Sequence, residues 1–142
     1  NNFNNGTITW SGPTGARALY GALRDRWSAL GREDGPLGYP TSDELVSSDG
    51  VGRFAGFENG SRIYWSPPTG AWDLIVDTLA VWGAMNYEMG ALGYPIGPPN
   101  LGTAGLGSVA APTGDAAVIA SQKFQRGALA IYQDGTANAI YF

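Results

Sequence analysis

The sequence contains neither cysteine nor histidine, and lysine occurs only once, at Lys123. These absences exclude disulfide bonds, cysteine nucleophiles, Cys/His zinc sites and a Ser-His-Asp catalytic triad. Charged residues make up only 14% of the chain, and its net charge is −4. Because nucleic-acid phosphates require a basic surface, this acidic balance argues against DNA or RNA as a partner.

Long apolar runs are also missing, so we expect no insertion into a membrane. The acidic residues lack calcium-loop spacing, and the glycine-rich segment 97–114 lacks a phosphate-loop lysine. We therefore expect neither a metal nor a cofactor. The chain begins at Asn1 rather than methionine, and we expect it to be a processed product or part of a longer protein.

Glycine and proline are plentiful, with 22 and 9 residues, and 44% of the chain is hydrophobic. This composition predicts a folded chain with many turns and short elements. A length of 142 residues is enough for one compact domain of ordinary core size. We therefore predict a single domain over residues 1–142.

A tandem repeat with a period of 55 residues, the step from Trp10 to Trp65, organises the sequence. The segment 10–16 (WSGPTGA) returns at 65–71 as WSPPTGA, Trp27 returns as Trp82, and Leu-Gly-Tyr-Pro at 37–40 returns at 92–95. A fixed period of this length marks structural units that stack on their neighbours. The predicted units run roughly over 3–56 and 57–123, with a partial copy over 124–142.

Each unit is predicted to form a β-hairpin followed by a helix and a tight loop, which makes the fold α+β. The predicted hairpin turns are Asn5-Gly6, Asn59-Gly60, Arg126-Gly127 and Asp134-Gly135. Residues at helical spacing form the two predicted helix faces: Leu19, Leu23, Trp27 and Leu30, then Ile75, Leu79, Trp82 and Met85. Gly31 and Asn86 tolerate the left-handed conformation that ends a helix.

Aromatic residues at strand ends are the first candidate sugar-binding groups. Trp10 and Trp65 lie beside Ser-x-Pro turns, where the apolar face of a sugar ring can lie flat on an indole. Packing between repeats is the alternative for both. Trp27 and Trp82 lie on helix faces and are expected in the core.

Three tyrosines are further candidate sugar contacts. Tyr39 and Tyr94 each precede a proline, which favours an extended backbone. Their rings either contact a glycan or pack between units with the hydroxyl at the rim. Tyr64 adjoins Trp65 on the same predicted strand.

Asp43, Glu44 and Arg53 are the candidate polar groups of a sugar site. A glycosidase needs two carboxylates about 5–9 Å apart across a bond, whereas adjacent strand residues point to opposite faces. A structural role for Asp43 and Glu44, as a turn cap or as a partner of Arg53, therefore ranks first. Hydrogen bonds to sugar hydroxyls rank second and catalysis third. The Arg53 guanidinium can also donate two hydrogen bonds to neighbouring sugar hydroxyls.

These motifs resemble the LGFP repeat family. They comprise Leu-Gly-Tyr-Pro at 37–40, Asp43-Glu44, Gly-Arg-Phe at 52–54, Phe-Glu-Asn-Gly at 57–60, Ile-Tyr-Trp-Ser at 63–66 and Thr-Gly-Ala at 69–71. The resemblance covers residues 3–95 well and 124–142 loosely. It implies an exported actinobacterial protein that binds cell-wall polysaccharide, with arabinogalactan the implied ligand. It also implies that the repeats anchor a linked or separate exported enzyme to the wall.

The sequence departs from the family pattern at two places. Residues 96–99 read Ile-Gly-Pro-Pro rather than Thr-Ser-Asp-Glu, and the last copy lacks the strand-end tryptophan. If a site needs either feature, the chain has fewer sites than repeats. The predicted function is non-catalytic binding of a cell-wall polysaccharide by a secreted protein. The alternative is a structural or protein-interaction module, and a wall-glycan hydrolase ranks third.

Overall fold

The protein, represented by a computed structural model that describes residues 6–101, 118–133 and 135–141, has the predicted α+β fold. The elements are β1 (Gly6–Ser11), β2 (Gly15–Tyr20), α1 (Gly21–Ala29), β3 (Leu45–Val46), β4 (Arg53–Gly56), β5 (Arg62–Ser66), β6 (Gly70–Leu74), α2 (Val76–Ala84), β7 (Asn100–Leu101), β8 (Val118–Phe124), β9 (Gly127–Tyr132) and β10 (Ala137–Tyr141). Short 3₁₀-helical turns, Arg32–Asp34 and Tyr87–Met89, follow the two helices.

The chain forms two compact units, Asn1–Val76 and Asp77–Phe142. The first unit contains β1 to β6 with α1, and the second contains α2, from its second residue, with β7 to β10. The boundary falls after the first residue of the helix of the second sequence repeat. The predicted single domain and the repeat bounds at 56 and 123 therefore stay predictions.

The sheets repeat one antiparallel pattern, which confirms the hairpin predicted at Asn59-Gly60, between β4 and β5. The hairpins β1-β2 and β5-β6, which turn at the two Ser-x-Pro-Thr segments, were not predicted. β1 and β2 form a two-stranded sheet, and the two larger sheets have the orders β3-β4-β5-β6 and β7-β8-β9-β10. The partial third copy thus contributes a complete hairpin, β9 with β10, to a sheet of the same order as the preceding one.

Two of the predicted turns are described. At Asn59-Gly60 the Asn59 side chain accepts a hydrogen bond from the Ser61 N–H at 2.8 Å, and Gly60 has a φ of 90°. The turn predicted at Arg126-Gly127 lies one residue earlier, at Gln125-Arg126, because Phe124 pairs with Gly127.

Parts of the other predictions lie outside the described residues. These parts are Asn5 of the first predicted turn, Asp134 of the last, and residues 102–114 of the glycine-rich segment 97–114.

The helices begin later than the apolar spacing predicted. α1 starts at Gly21, so Leu19 belongs to β2, where it is completely buried. The φ of 47° at Gly21 turns the chain out of the strand. On α2 the buried residues are Thr78 and Trp82, while Leu79 is half-buried. The buried face of α2 is therefore rotated from the predicted one toward Thr78.

Trp27 lies at the centre of the first unit's core, as predicted. Its ring centroid is 6.4 Å from that of Phe57, and its indole N–H donates to the carbonyl of Gly38 at 3.0 Å. The rest of the buried cluster consists of Leu19, Leu23, Leu37, Ala55 and Ile63. The tryptophan thus ties α1 to the Leu-Gly-Tyr-Pro loop.

Trp82 has the same role in the second unit. It is completely buried, its ring centroid lies 5.5 Å from that of Phe124, and its indole N–H donates to the Gly93 carbonyl at 3.1 Å. The repeated sequence therefore encodes a repeated connection between helix and loop.

An ion pair joins α1 to β6. The Arg26 guanidinium donates to Asp73 Oδ1 from Nη2 at 2.7 Å and from Nε at 3.0 Å, and it lies 5.1 Å from the centroid of the Trp72 ring. Because Asp73 is buried, this charge-assisted contact is strong and fixes the helix over the sheet.

Just after each helix, a glycine packs closely against the backbone of the helix end. Gly31 and Asn86 have φ values of 102° and 75°, which confirms the predicted left-handed positions. Four residues after each, Gly35 and Gly90 approach the preceding turn so closely that a Cβ would lie 2.0 or 1.9 Å from a carbonyl oxygen. Only glycine fits these two positions without a backbone shift.

Gly35→Ala is expected to lower the free energy of unfolding by at least about 2 kcal/mol, because the loop has to move away from the carbonyl of Leu30. Urea denaturation measures the loss. Gly12→Ala is the matched control, since no atom lies within 4 Å of its added Cβ, and it should change stability by no more than about 0.5 kcal/mol. Equal losses in the two variants would refute the explanation.

Candidate functional site

A groove of about 300 Å³ opens on the first unit, where the start of α1 meets β4 and β5. Its lining residues are Tyr20, Gly21, Ala22, Leu23, Glu44, Arg53 and Trp65. Three of the predicted site residues, Glu44, Arg53 and Trp65, are thereby brought together although they come from separate parts of the sequence.

Trp65 and Arg53 form one wall. They lie directly opposite each other on β5 and β4, so their side chains share a face of the sheet. Trp65 is half-buried against the core and Arg53 is exposed. Among the described residues, neither the indole N–H of Trp65 nor the Arg53 guanidinium has a hydrogen-bond or ion-pair partner. Both donors are therefore available to a ligand.

Glu44 is held in the groove by β2. Its backbone N–H donates to the Ala18 carbonyl at 3.3 Å, and its Oε1 accepts the Tyr20 N–H at 3.2 Å. Burial raises the pKa of the Glu44 carboxyl above its ordinary value of 4.5, while the Tyr20 hydrogen bond and the Arg53 charge offset part of the rise. The groove thus contains one partly desolvated acid and one solvated cation.

Asp43 is placed differently from its neighbour. It is exposed, it does not line the groove, and its Oδ1 accepts the Ala18 N–H at 3.0 Å. The two adjacent carboxylates therefore bind N–H groups of β2. Within the described ranges, neither forms the predicted close ion pair with Arg53.

Tyr20 is a groove residue that the sequence analysis missed. It is the last residue of β2, it keeps an extended backbone before α1, and it is 53% exposed. The helical spacing of Leu19, Leu23, Trp27 and Leu30 predicted a helix that included Tyr20, whereas Tyr20 lies on a strand. Gly21 was the available signal, because a glycine at this point indicates a break between strand and helix.

Two other predicted residues lie outside the groove. Trp10 is 69% exposed at the end of β1, opposite Ala16. Tyr39 is half-buried, and its N–H donates to Glu58 Oε1 at 2.8 Å. Neither residue lines the groove.

Tyr64 and Tyr94 are buried. Tyr64 stacks on Phe54, with ring centroids 4.9 Å apart, and its hydroxyl accepts a hydrogen bond from Arg62 at 3.0 Å. Successive strand residues point to opposite faces, so Tyr64 cannot share the face of its neighbour Trp65. The structure does not present either tyrosine at the surface.

In the described part of the chain, no group of three or more acidic side chains is arranged to hold a metal ion. Neither of its nine-residue α-helices has the length needed to cross a bilayer.

The repeated elements and motifs can be compared with known families. The family model of the LGFP repeat matches residues 1–35 and 37–90, which is more than half of the chain. The chain belongs to the LGFP repeat family. No protein of curated function matches it in sequence. Every residue that lines the groove falls within the matched LGFP segments.

Glu44→Gln is expected to change how stability depends on pH. A raised pKa means that folding favours the protonated acid, so its contribution to stability is present at low pH and is lost as pH rises from 4.5 through the raised value. Glutamine keeps the acceptor for the Tyr20 N–H but has no charge. The wild type should therefore lose stability relative to the variant across this window.

Urea denaturation of both proteins at a series of pH values measures the difference. A stability difference that stays constant from about pH 3 to about pH 8 would show that ionisation of Glu44 does not oppose folding.

Proposed function

We propose that this LGFP repeat protein binds a cell-wall polysaccharide in the groove and leaves it chemically unchanged. The observation that supports the proposal is the convergence of Tyr20, Glu44, Arg53 and Trp65 on one open groove of the first unit. These four side chains supply an aromatic surface, a hydrogen-bond acceptor and unpaired donors within one site.

The chemistry of a sugar requires this combination. A pyranose or furanose ring has an apolar C–H face, which an aromatic ring covers, and hydroxyls that need both donors and acceptors. Trp65 and Tyr20 provide the rings, Arg53 provides a fork of N–H donors, and Glu44 accepts. A volume of about 300 Å³ is at the lower end of small-molecule sites. The groove therefore suits a short stretch of a longer chain.

The proposal is one of binding rather than catalysis. Glycoside hydrolysis generally uses two carboxylates that flank the scissile bond. Of the adjacent pair, Glu44 lines the groove and Asp43 does not. The resemblance to the LGFP family adds the remaining parts of the proposal: an exported protein, an arabinogalactan-like ligand, and anchoring of a linked or separate enzyme to the wall.

Tyr20→Ala and Arg53→Ala are each expected to reduce retention on purified insoluble arabinogalactan about tenfold, or about 1.4 kcal/mol, because each removes one kind of sugar contact. Co-sedimentation at several protein concentrations measures the retention.

Tyr141→Ala is the matched control for Tyr20→Ala. Tyr141 is 55% exposed, close to the value for Tyr20, but it lies on β10 in the second unit. Its removal should leave retention unchanged. Wild-type retention no greater than that of an unrelated globular protein would refute the proposed function.

A second function is favoured by one exposed face of the first hairpin. Ile8, Trp10 and Tyr20 lie on the same face of β1 and β2 and are 43%, 69% and 53% exposed. Such a patch suits a protein partner. This protein-interaction role is the alternative to glycan binding.

Trp10→Ala separates the two surfaces as glycan sites, because Trp10 belongs to the exposed face and not to the groove. Under the glycan proposal, retention on arabinogalactan should stay within about twofold of wild type. A loss as large as that of Arg53→Ala would instead place the ligand on the hairpin face.

A further inference from the structure

The groove is assembled from two successive repeats. Tyr20 and the start of α1 belong to the first copy, whereas Trp65 belongs to the hairpin of the second. Glu44 and Arg53 come from the segment between that helix and that hairpin. A helix from one copy and a hairpin from the next are therefore both needed to complete the walls.

The second unit contains the equivalents of the wall strands. Trp65 pairs with Ala71 one step before the last pair, Ser66 with Gly70. Ile131 pairs with Ala137 one step before the point where the Tyr132 N–H donates to the Thr136 carbonyl at 2.9 Å. Ile131 therefore takes the place of Trp65.

The neighbouring strand follows the same register. Arg53 lies opposite Trp65, and Ala120 lies opposite Ile131. Ala120 therefore takes the place of Arg53, and both Ala120 and Ile131 are buried. The indole and the guanidinium are thus replaced by two covered aliphatic side chains.

The positions that correspond to Glu44 and Tyr20 also lose their polar and aromatic side chains. The repeat period places Pro99 at the position of Glu44 and Ile75 at that of Tyr20. The second set of positions consequently has no aromatic ring, no cation and no carboxylate. It retains none of the groups on which the proposed sugar contacts depend.

The first hairpin does not provide a further complete set of groove residues. Trp10 is the counterpart of Trp65, but β1 and β2 form a two-stranded sheet. In the described part of the chain, no strand equivalent to β4 lies beside Trp10 to supply a counterpart of Arg53.

We infer that the polysaccharide site is a property of the junction between consecutive repeats, and that the described part of the chain carries one competent junction. The inference rests on the proposed function and specifies its stoichiometry. The second copy completes the site of the first with its hairpin. The cavity beside its own helix, which Asp77 and Ile131 line, has no cation among its lining residues, and its tyrosine, Tyr132, is completely buried. Retention on the wall then depends on one site per chain rather than on several linked weak ones.

Isothermal titration with a short soluble fragment of arabinogalactan tests the inference. The wild type should bind one equivalent, and Trp65→Ala should weaken all of the binding by at least about tenfold. Arg53→Ala should do the same. Because Arg53 is exposed, this second variant gives a result even if loss of Trp65 disturbs the core.

Trp10→Ala is the matched control and should keep one equivalent and wild-type affinity. Two or more equivalents in the wild type, or a Trp65→Ala variant that loses only a fraction of its sites, would overturn the single junction while leaving glycan binding intact. Wild-type protein that binds neither the fragment nor the insoluble polymer would overturn the proposed function and the inference together.

Discussion

The hydrogen bond from a buried indole to a glycine carbonyl holds each repeat together. Trp27 reaches Gly38, and Trp82 reaches Gly93, across the same sequence interval. The loop that Trp27 fixes continues into the bridge between Pro40 and Phe57 and then into Glu44. Loss of the indole would leave a polar group of the core without its partner, which is costly. The position of Glu44 in the groove therefore depends on the hydrogen bond from Trp27 to Gly38.

Patterns that repeat in the sequence predicted the scaffold well. The hairpin turn at Asn59-Gly60, the buried tryptophans and the left-handed ends at Gly31 and Asn86 follow from local chemistry. The hairpins β1-β2 and β5-β6 were missed, because the residues after each Ser-x-Pro-Thr turn have helical spacing. Groove membership was harder to predict, because it depends on strand register and on where a helix starts. Trp65 was recognised, whereas Tyr64 was assigned to the same surface although alternation along a strand turns it away. No local pattern brings Glu44 beside the start of α1.

The two repeats keep their scaffold contacts and differ at the groove. Glu58 Oε1 accepts the Tyr39 N–H, and Gln125 Oε1 accepts the Tyr94 N–H at the corresponding place. A carboxylate and an amide fill this role equally well because both offer the same oxygen. Trp27 and Trp82, which the two repeats share, thus hold the shape of the repeat, whereas Tyr20 and Glu44 of the groove are replaced by Ile75 and Pro99. Internal repetition in this chain is evidence of shared architecture more than of shared activity.

Glu44 also has a bearing on how the protein behaves at high concentration. β2 pairs with β1 along one side, and on its other side the N–H groups of Ala18 and Tyr20 are occupied by Asp43 and Glu44. An uncovered strand edge is a template for sheet growth between molecules, and charged side chains placed on it oppose aggregation. Exchanging Glu44 for an apolar residue to tighten the groove would remove this protection.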